Sequence, residues 1–348
     1  MLSYVSKNFW RTIRQPIFAL APMADVTDTA FRQMFASLSK PDVMFTEFVS
    51  TDGLCSEGRK NVLRELKYKP IEHPIVAQIW GTDPAKFEES ARLIESLGFD
   101  GIDINMGCPQ RKEIVHGACA ALIRNPDLAK QIIAATKRGA SGLPVSVKTR
   151  LGYDTVETET WVGHLLDADP DAIIIHARTK SEMSNVPAHW DEVGRAVELR
   201  NRRGSKMLIL GNGDIKSLEE GDLRIAETGL DGVMIGRGAF GNPWFFSRSR
   251  SRESVSLADR LGVMLEHARL FEEEFEGEKN FAVMRKHFKA YVTGFPGAHE
   301  LRANLMSAVN ATEVQRIIED FLKNNKSFAP NPVDSHAGLV PVVFNKIL

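Results

Sequence analysis

The chain predicts an α/β fold, a parallel (β/α)8 barrel of the TIM type followed by an all-helical domain, and three observations lead there. Short, almost continuously apolar runs recur through the first two thirds of the sequence, as expected of parallel strands buried on both faces. Amphipathic segments of helical period alternate with them, which is the pattern of successive βα units. Eight such strands can be counted, and eight is the number that closes a barrel. A doubly wound open sheet is the competing architecture. It would carry its glycine-rich phosphate motif after the first strand, whereas here the paired glycines follow the last two.

Strands are expected at 17–23, 44–50, 75–80, 101–106, 144–149, 172–176, 207–210 and 232–235. Helices are expected between them at 27–38, 84–97, 127–138, 156–166, 190–200 and 217–228. Asp83-Pro84 and Asn125-Pro126 read as helix starts, each a capping oxygen ahead of a first-turn proline. The link between the second and third strands is less regular and holds Gly53, Gly58 and several charges. Past the basic run Arg248-Ser249-Arg250-Ser251-Arg252 no strand pattern remains, and helices are expected at 257–275, 281–293, 301–309 and 314–324. The expected organisation is a barrel over 1–250, a helical domain over 251–330 and an irregular tail over 331–348.

At 348 residues the chain exceeds the usual single-domain range. Its 43% hydrophobic and 26% charged content is that of an ordinary soluble protein. Three cysteines, Cys55, Cys108 and Cys119, show neither metal-ligand nor CxxC spacing. A sparse, odd set argues against a disulfide framework, suits a reducing cytoplasm and leads us to expect no metal. No apolar run approaches membrane-spanning length. The short apolar stretch at 17–23 runs into Asp25 and reads as a first strand, not a secretion signal. A net charge of −1 exerts no global pull on nucleic acid, which leaves local patches to do so. The expectation is a cytoplasmic monomer without membrane association.

The run Asp103-Ile104-Asn105-Met106-Gly107-Cys108-Pro109 puts a thiol on the loop leaving the fourth strand, where a rigid scaffold presents reactive groups. A lone Cys is ordinarily a small buried hydrophobe, but Gly107 and Pro109 make a packed interior the less natural setting. Leu210-Gly211-Asn212-Gly213-Asp214 and Ile235-Gly236-Arg237-Gly238 follow the seventh and eighth strands. Glycines there let backbone N–H groups approach a phosphate, and barrels carry phosphate sites at this position. Arg237 adds a forked cation.

Lys148 ends the fifth strand and could stabilise negative charge on a reduced cofactor ring, or else pair with Glu47 or Asp103. His176 could donate to a cofactor oxygen or serve as a structural strand-end histidine, and Arg178 could meet a phosphate or the substrate. Gln78, Pro22 and Met23 end strands on the same face, where packing alone would also explain them. Arg285, Lys286 and Lys289 have near-helical spacing, suiting a solvated face or contacts with phosphates.

Taken in order, these motifs resemble the tRNA-dihydrouridine synthases, flavin enzymes that reduce a uridine in tRNA. The resemblance rests on Ala21-Pro22-Met23-Ala24-Asp25-Val26-Thr27-Asp28, Ile104-Asn105-Met106-Gly107-Cys108-Pro109 and Val147-Lys148-Thr149-Arg150. It continues through His176-Ala177-Arg178-Thr179, Gly211-Asn212-Gly213-Asp214 and Gly236-Arg237-Gly238. In the helical region, Tyr291-Val292-Thr293-Gly294-Phe295-Pro296-Gly297 and Leu301-Arg302 also match.

The resemblance implies a barrel holding FMN, reduced by NADPH or NADH, and a helical domain that helps grip tRNA. By motif, Pro22, Met23, Ala24, Gln78, Lys148, His176, Asn212, Gly213, Asp214, Gly236 and Arg237 would contact FMN. Cys108 would be the proton donor, and Asn105 and Arg178 would hold the extruded uracil. The chain departs from the family's usual pattern at Ala177, near Val186, and over Lys112-Glu113-Ile114-Val115-His116. Two rivals stay open. One is an FMN barrel of the dihydroorotate-dehydrogenase kind acting on a free pyrimidine, for which the appended helices have no obvious use. The other is a nonenzymatic RNA-binding protein, against which Cys108, Lys148 and both glycine motifs speak together.

Overall fold

The structure, a computed structural model, describes residues 8–325. The irregular tail expected over 331–348 lies outside the described residues.

Nine strands make one parallel sheet: β1 Ile17–Leu20, β2 Met44–Phe45, β3 Val49–Ser50, β4 Ile75–Trp80, β5 Gly101–Asn105, β6 Val145–Arg150, β7 Ala172–His176, β8 Leu208–Asn212 and β9 Gly232–Ile235. Pairing runs β1-β9-β8-β7-β6-β5-β4-β2, with β3 also on β4. The ring closes where Ala19 bridges Val43 in parallel and Leu20 N–H donates to Val43 O at 3.0 Å. A barrel therefore forms as the apolar pattern predicts. Ile17, Ala19, Phe45, Val76, Ile174, Leu210 and Met234 belong to one buried cluster of its strands.

The single strand expected at 44–50 is two short ones. Thr46 Oγ1 accepts the Gln78 N–H at 3.1 Å and donates to Glu47 O at 2.8 Å, so a side chain takes a ladder position and interrupts the strand. The irregular link that follows contains the short helices Thr51–Leu54 and Arg59–Leu63. Helix starts were legible. Asp83 accepts from Ala85 N at 2.9 Å, and Asn125 from Leu128 N at 3.3 Å, each ahead of a first-turn proline.

Contacts divide the described residues into two compact units, one of residues 8–27 and Pro41–Gly238, the other of Asp28–Lys40 and residues 239–325. The helix Thr29–Leu38, which the βα alternation assigns to the barrel, thus groups with the second unit. Its Ala30 and Met34 join the buried cluster of Trp244, Leu261, Met264 and Ala268, and Ser39 Oγ donates to Pro243 O at 2.7 Å. Among the described residues that unit also holds the α-helices Leu257–Phe275, Met284–Tyr291, Ala298–Leu305 and Ala311–Asn324. Ser256 and Asn310 cap two of them by accepting from Asp259 N and Glu313 N.

Candidate active site

Strand ends of a parallel barrel all point one way, so residues far apart in sequence meet at its carboxyl face. β8 runs out into Gly213 (φ 146°), a backbone state reserved for glycine, and Asp214 (φ 54°). A Cβ on Gly213 would also sit 3.0 Å from the Ala188 Cβ. Here a cavity opens, with about 730 Å³ of empty space including its mouth. Pro22, Met23, Lys148, His176 and Asn212 line it, as do Gly213, Asp214, Gly236 and Arg237.

Ala24 and Gln78, also expected at a cofactor, are not on that wall. Ala24 is exposed, while Gln78 is wholly buried in a hydrogen-bond chain described below. The wall also includes Met234, Ile215 and Ser184. The first two adjoin the glycine motifs, but no sequence signal marks Ser184, which lies on the loop after β7.

Lys148 Nζ donates to Asn212 Oδ1 at 3.3 Å, and Asn212 Nδ2 donates to Met234 O at 2.7 Å. Burial lowers Lys148 to about 8, helped by Arg150 and opposed by the Asp103 charge. Asn212 is its hydrogen-bond partner, and Asp103 acts on it through charge. Burial and the surrounding cations Lys148, Arg150, Arg178 and Arg237 press His176 down to about 2, so its ring is neutral. Arg178 Nη1 lies 3.2 Å from His176 Nε2. Arginine can only donate, so Nε2 is the acceptor and Nδ1 carries the proton.

Arg178 is buried and heavily committed. Its Nε donates to Val186 O at 2.7 Å, and it forms an ion pair with Asp214. Arg237 Nη2 reaches the other oxygen of Asp214 at 2.9 Å but stays 67% exposed. Burial pushes the Asp214 carboxyl up, yet hydrogen bonding and charge from Arg178 outweigh it and hold the group low.

The Cys108 loop hangs from a buried amide. Asn105 Oδ1 accepts from the N–H groups of Gly107 (3.1 Å) and Cys108 (3.0 Å), and Asn105 Nδ2 donates to Gln78 Oε1 at 3.0 Å. Gln78 Nε2 in turn donates to Asp103 Oδ2 at 2.7 Å, and Ser146 Oγ donates to Asp103 Oδ1 at 2.6 Å. Burial raises Asp103 to about 6 against these two hydrogen bonds. From the other side, Arg150 Nε donates to Gly107 O at 2.7 Å and its Nη1 to Thr179 O at 2.9 Å.

Cys108 is half-buried, and a hydrogen bond from the Cys119 thiol lowers its pKa against the effect of burial. No local sequence signal marks Asp103 or Arg150 for this role, because their partners are distant in sequence.

Arg285 and Lys289 are exposed one turn apart on the helix Met284–Tyr291, Lys286 is half-buried, and His287 is buried. No group of three or more metal-ligating side chains and no helix long and apolar enough to cross a membrane occurs among the described residues.

The backbone turns after β8 and β9, with Arg237, suit a phosphate. Lys148 supplies a cation deeper in the wall, and Met23 and Met234 supply apolar surface. This donor set fits a phosphate-bearing cofactor.

Comparison with known proteins agrees. The family model described as dihydrouridine synthase matches residues 19–326. A "Probable tRNA-dihydrouridine synthase" of Staphylococcus aureus (strain Mu50 / ATCC 700699) is 42% identical over 322 residues, spanning 91% of this chain and 96% of that protein. A "Probable tRNA-dihydrouridine synthase 2" of Bacillus subtilis (strain 168) is 41% identical over 322 residues, spanning 91% and 97%. Among solved structures, histamine dehydrogenase from Rhizobium sp. 4-9 superposes with a TM-score of 0.52 at 14% identity. That match covers 73% of this chain and 48% of the other, and speaks for the fold alone.

Proposed function

This chain belongs to the dihydrouridine synthase family, and we propose that it reduces a uridine of tRNA to 5,6-dihydrouridine, using FMN with NADPH or NADH as reductant. The observation that carries the reading is the pairing, at one barrel face, of a braced thiol with a cavity whose lining suits a phosphate-bearing cofactor. The loop carrying Cys108 is held by Asn105 and Arg150, and the cavity is walled by Lys148, His176 and the two glycine turns.

When bound, a flavin would supply the hydride chemistry that reduces carbon 6 of the uracil. Lys148 keeps a positive charge beside it, strongest where water is scarce. His176, neutral and with its proton on Nδ1, offers a donor without adding charge. Gly213, Gly236 and Arg237 hold the phosphate, and Asp214 orients Arg237 through their hydrogen bond.

Cys108 then gives its proton to carbon 5 on the opposite face. The target base must leave its stack to reach this site, at a cost of a few kcal/mol that pocket contacts offset. Asn105 and Arg178 are proposed beside the uracil, although most of their hydrogen bonds serve the protein itself. Arg285, Lys286 and Lys289 contact the tRNA backbone, which is read by shape more than by sequence. We place the reaction in the cytoplasm and assign it to a monomer.

The test is to purify the protein, record its visible spectrum and assay NADPH-dependent dihydrouridine formation on unmodified tRNA. A flavin spectrum with dihydrouridine at a mapped position is the expected result. Flavin without any change in tRNA, together with turnover of free dihydroorotate or uracil, would replace this reading with the small-pyrimidine one.

A further inference from the structure

The segment after Cys108, where the chain departs from its family's usual pattern, holds a carboxylate in an unusual position. Glu113 lies on the short helix Arg111–Ile114 and is only 7% exposed. Its Oε2 is enclosed and has no hydrogen-bond partner among the described residues. An unpaired buried carboxylate oxygen is costly and calls for a reason.

The chain folds back around it. Ile114 N–H donates to Gln110 O at 3.1 Å, Ala118 N–H to Glu113 O at 3.1 Å, and Ala120 N–H to Cys108 O at 3.3 Å. These bonds gather residues 108, 113 and 119, and the charge of Glu113 is felt at both thiols, pushing each upward. The flanking Arg111, Lys112, Val115 and His116 are exposed, so solvent is one residue away.

We propose that Glu113 returns the proton to Cys108 after each turnover. The inference rests on the reading that Cys108 protonates carbon 5. In that step the S–H bond breaks, its electron pair stays on sulfur as a thiolate, and a C–H bond forms at carbon 5. The Glu113 carboxylate then takes a proton from solvent and passes it to Cys108 Sγ, directly or by way of the Cys119 thiol hydrogen-bonded to it. The net consumption is one solvent proton per hydride transferred, and no additional redox agent is involved. The unpaired Oε2 is the atom free to carry that proton.

The experiment compares wild type, Glu113→Gln and Glu113→Asp, each as the flavin-loaded full chain with unmodified tRNA. In Glu113→Gln, dihydrouridine formed in a single turnover by enzyme reduced beforehand stays within about twofold of wild type, because Cys108 already holds its first proton. Steady-state turnover falls at least about tenfold, and imidazolium buffer restores it. Glu113→Asp keeps a carboxyl group and retains intermediate steady-state turnover.

A second readout needs neither flavin nor tRNA. Iodoacetamide labels Cys108 several-fold faster in Glu113→Gln at pH 7, since loss of the neighbouring negative charge favours the thiolate. Equal losses in single and multiple turnover would make Glu113 merely structural and overturn the inference. An unchanged steady state, or unaltered alkylation, would overturn it as well. Wild type that forms no dihydrouridine would instead defeat the functional reading, while the alkylation comparison still decides the coupling of Glu113 to Cys108.

Discussion

Cys108 owes its setting to Asn105, Arg150 and Cys119, which hold the loop backbone and stabilise the sulfur as it loses a proton. A positioned general acid contributes about 10²–10⁴-fold to rate. Cys108→Ala is therefore expected to slow dihydrouridine formation by that factor while its flavin spectrum stays unchanged. Normal turnover would remove the thiol from the mechanism.

Lys148 has a different signature. Its ammonium is charged below about 8 and neutral above, so reduction of the bound flavin by NADPH should slow as pH rises through that value. Lys148→Met should bind flavin weakly or reduce it slowly at every pH, which rapid-mixing absorbance would follow. A variant with wild-type reduction kinetics would return Lys148 to a packing role. Among these residues, the types and their strand-end placement were visible in sequence. Their partners were not: that Lys148 meets Asn212 and Arg178 meets Asp214 depends on how the barrel brings together residues 64 and 36 positions apart.

The helix Met284–Tyr291 shows how an element divides its labour. Met284, His287, Phe288 and Tyr291 are buried, and Arg285 and Lys289 emerge on the opposite side at a spacing of one turn. If this side meets tRNA, Arg285→Glu, Lys286→Glu and Lys289→Glu together should weaken tRNA binding. The slope of log affinity against log salt should fall by about 0.7–0.9 for each phosphate that is no longer neutralised, with NADPH oxidation intact. Unaltered affinity and slope in a filter-binding titration would identify the side as ordinary solvated charge.

The strand expected at 44–50 teaches the converse lesson. Its apolar run is real, yet Thr46 breaks it by bonding Gln78 on a neighbouring strand. Helix caps are strictly local, and for that reason Asp83 and Asn125 behaved as read.

At the scale of the whole molecule, acid should be the main threat to stability. His176, His267 and His287 are held neutral by burial, at about 2, about 3 and well below 6.5 respectively. Both rings of the His267–His287 pair lack hydrogen-bond partners among the described residues, and the pair sits edge to face at 4.7 Å beside Phe31. Such a ring binds a proton more readily once unfolded. Its stabilising contribution is thus complete above 6.5 and is lost as pH falls toward the folded value.

Asp103 works in the other direction. Raised to about 6 from 3.8, it lends stability as pH falls through that interval. Three groups against one, at about 1.4 kcal/mol per unit each, leave a net loss of roughly 3 kcal/mol between pH 7 and 5.5. Urea titrations at the two pH values would measure it. Equal midpoints and slopes would mean that the histidines are not buried neutral.

The sequence by itself determined the βα alternation, the count of eight barrel positions, the glycine turns after the last two strands and the placing of a thiol on a strand-end loop. Each of these is written in near-neighbour chemistry, in apolar period, backbone freedom or a capping oxygen. Only the tertiary structure decided that helix Thr29–Leu38 packs with the C-terminal helices, that Ser184 reaches the cavity, and that Asp103, Gln78 and Asn105 form a chain to Cys108. The physical reason is that burial and side-chain hydrogen bonds depend on which distant residues the closed barrel brings within about 3 Å, and the order of residues along a chain does not encode that proximity locally.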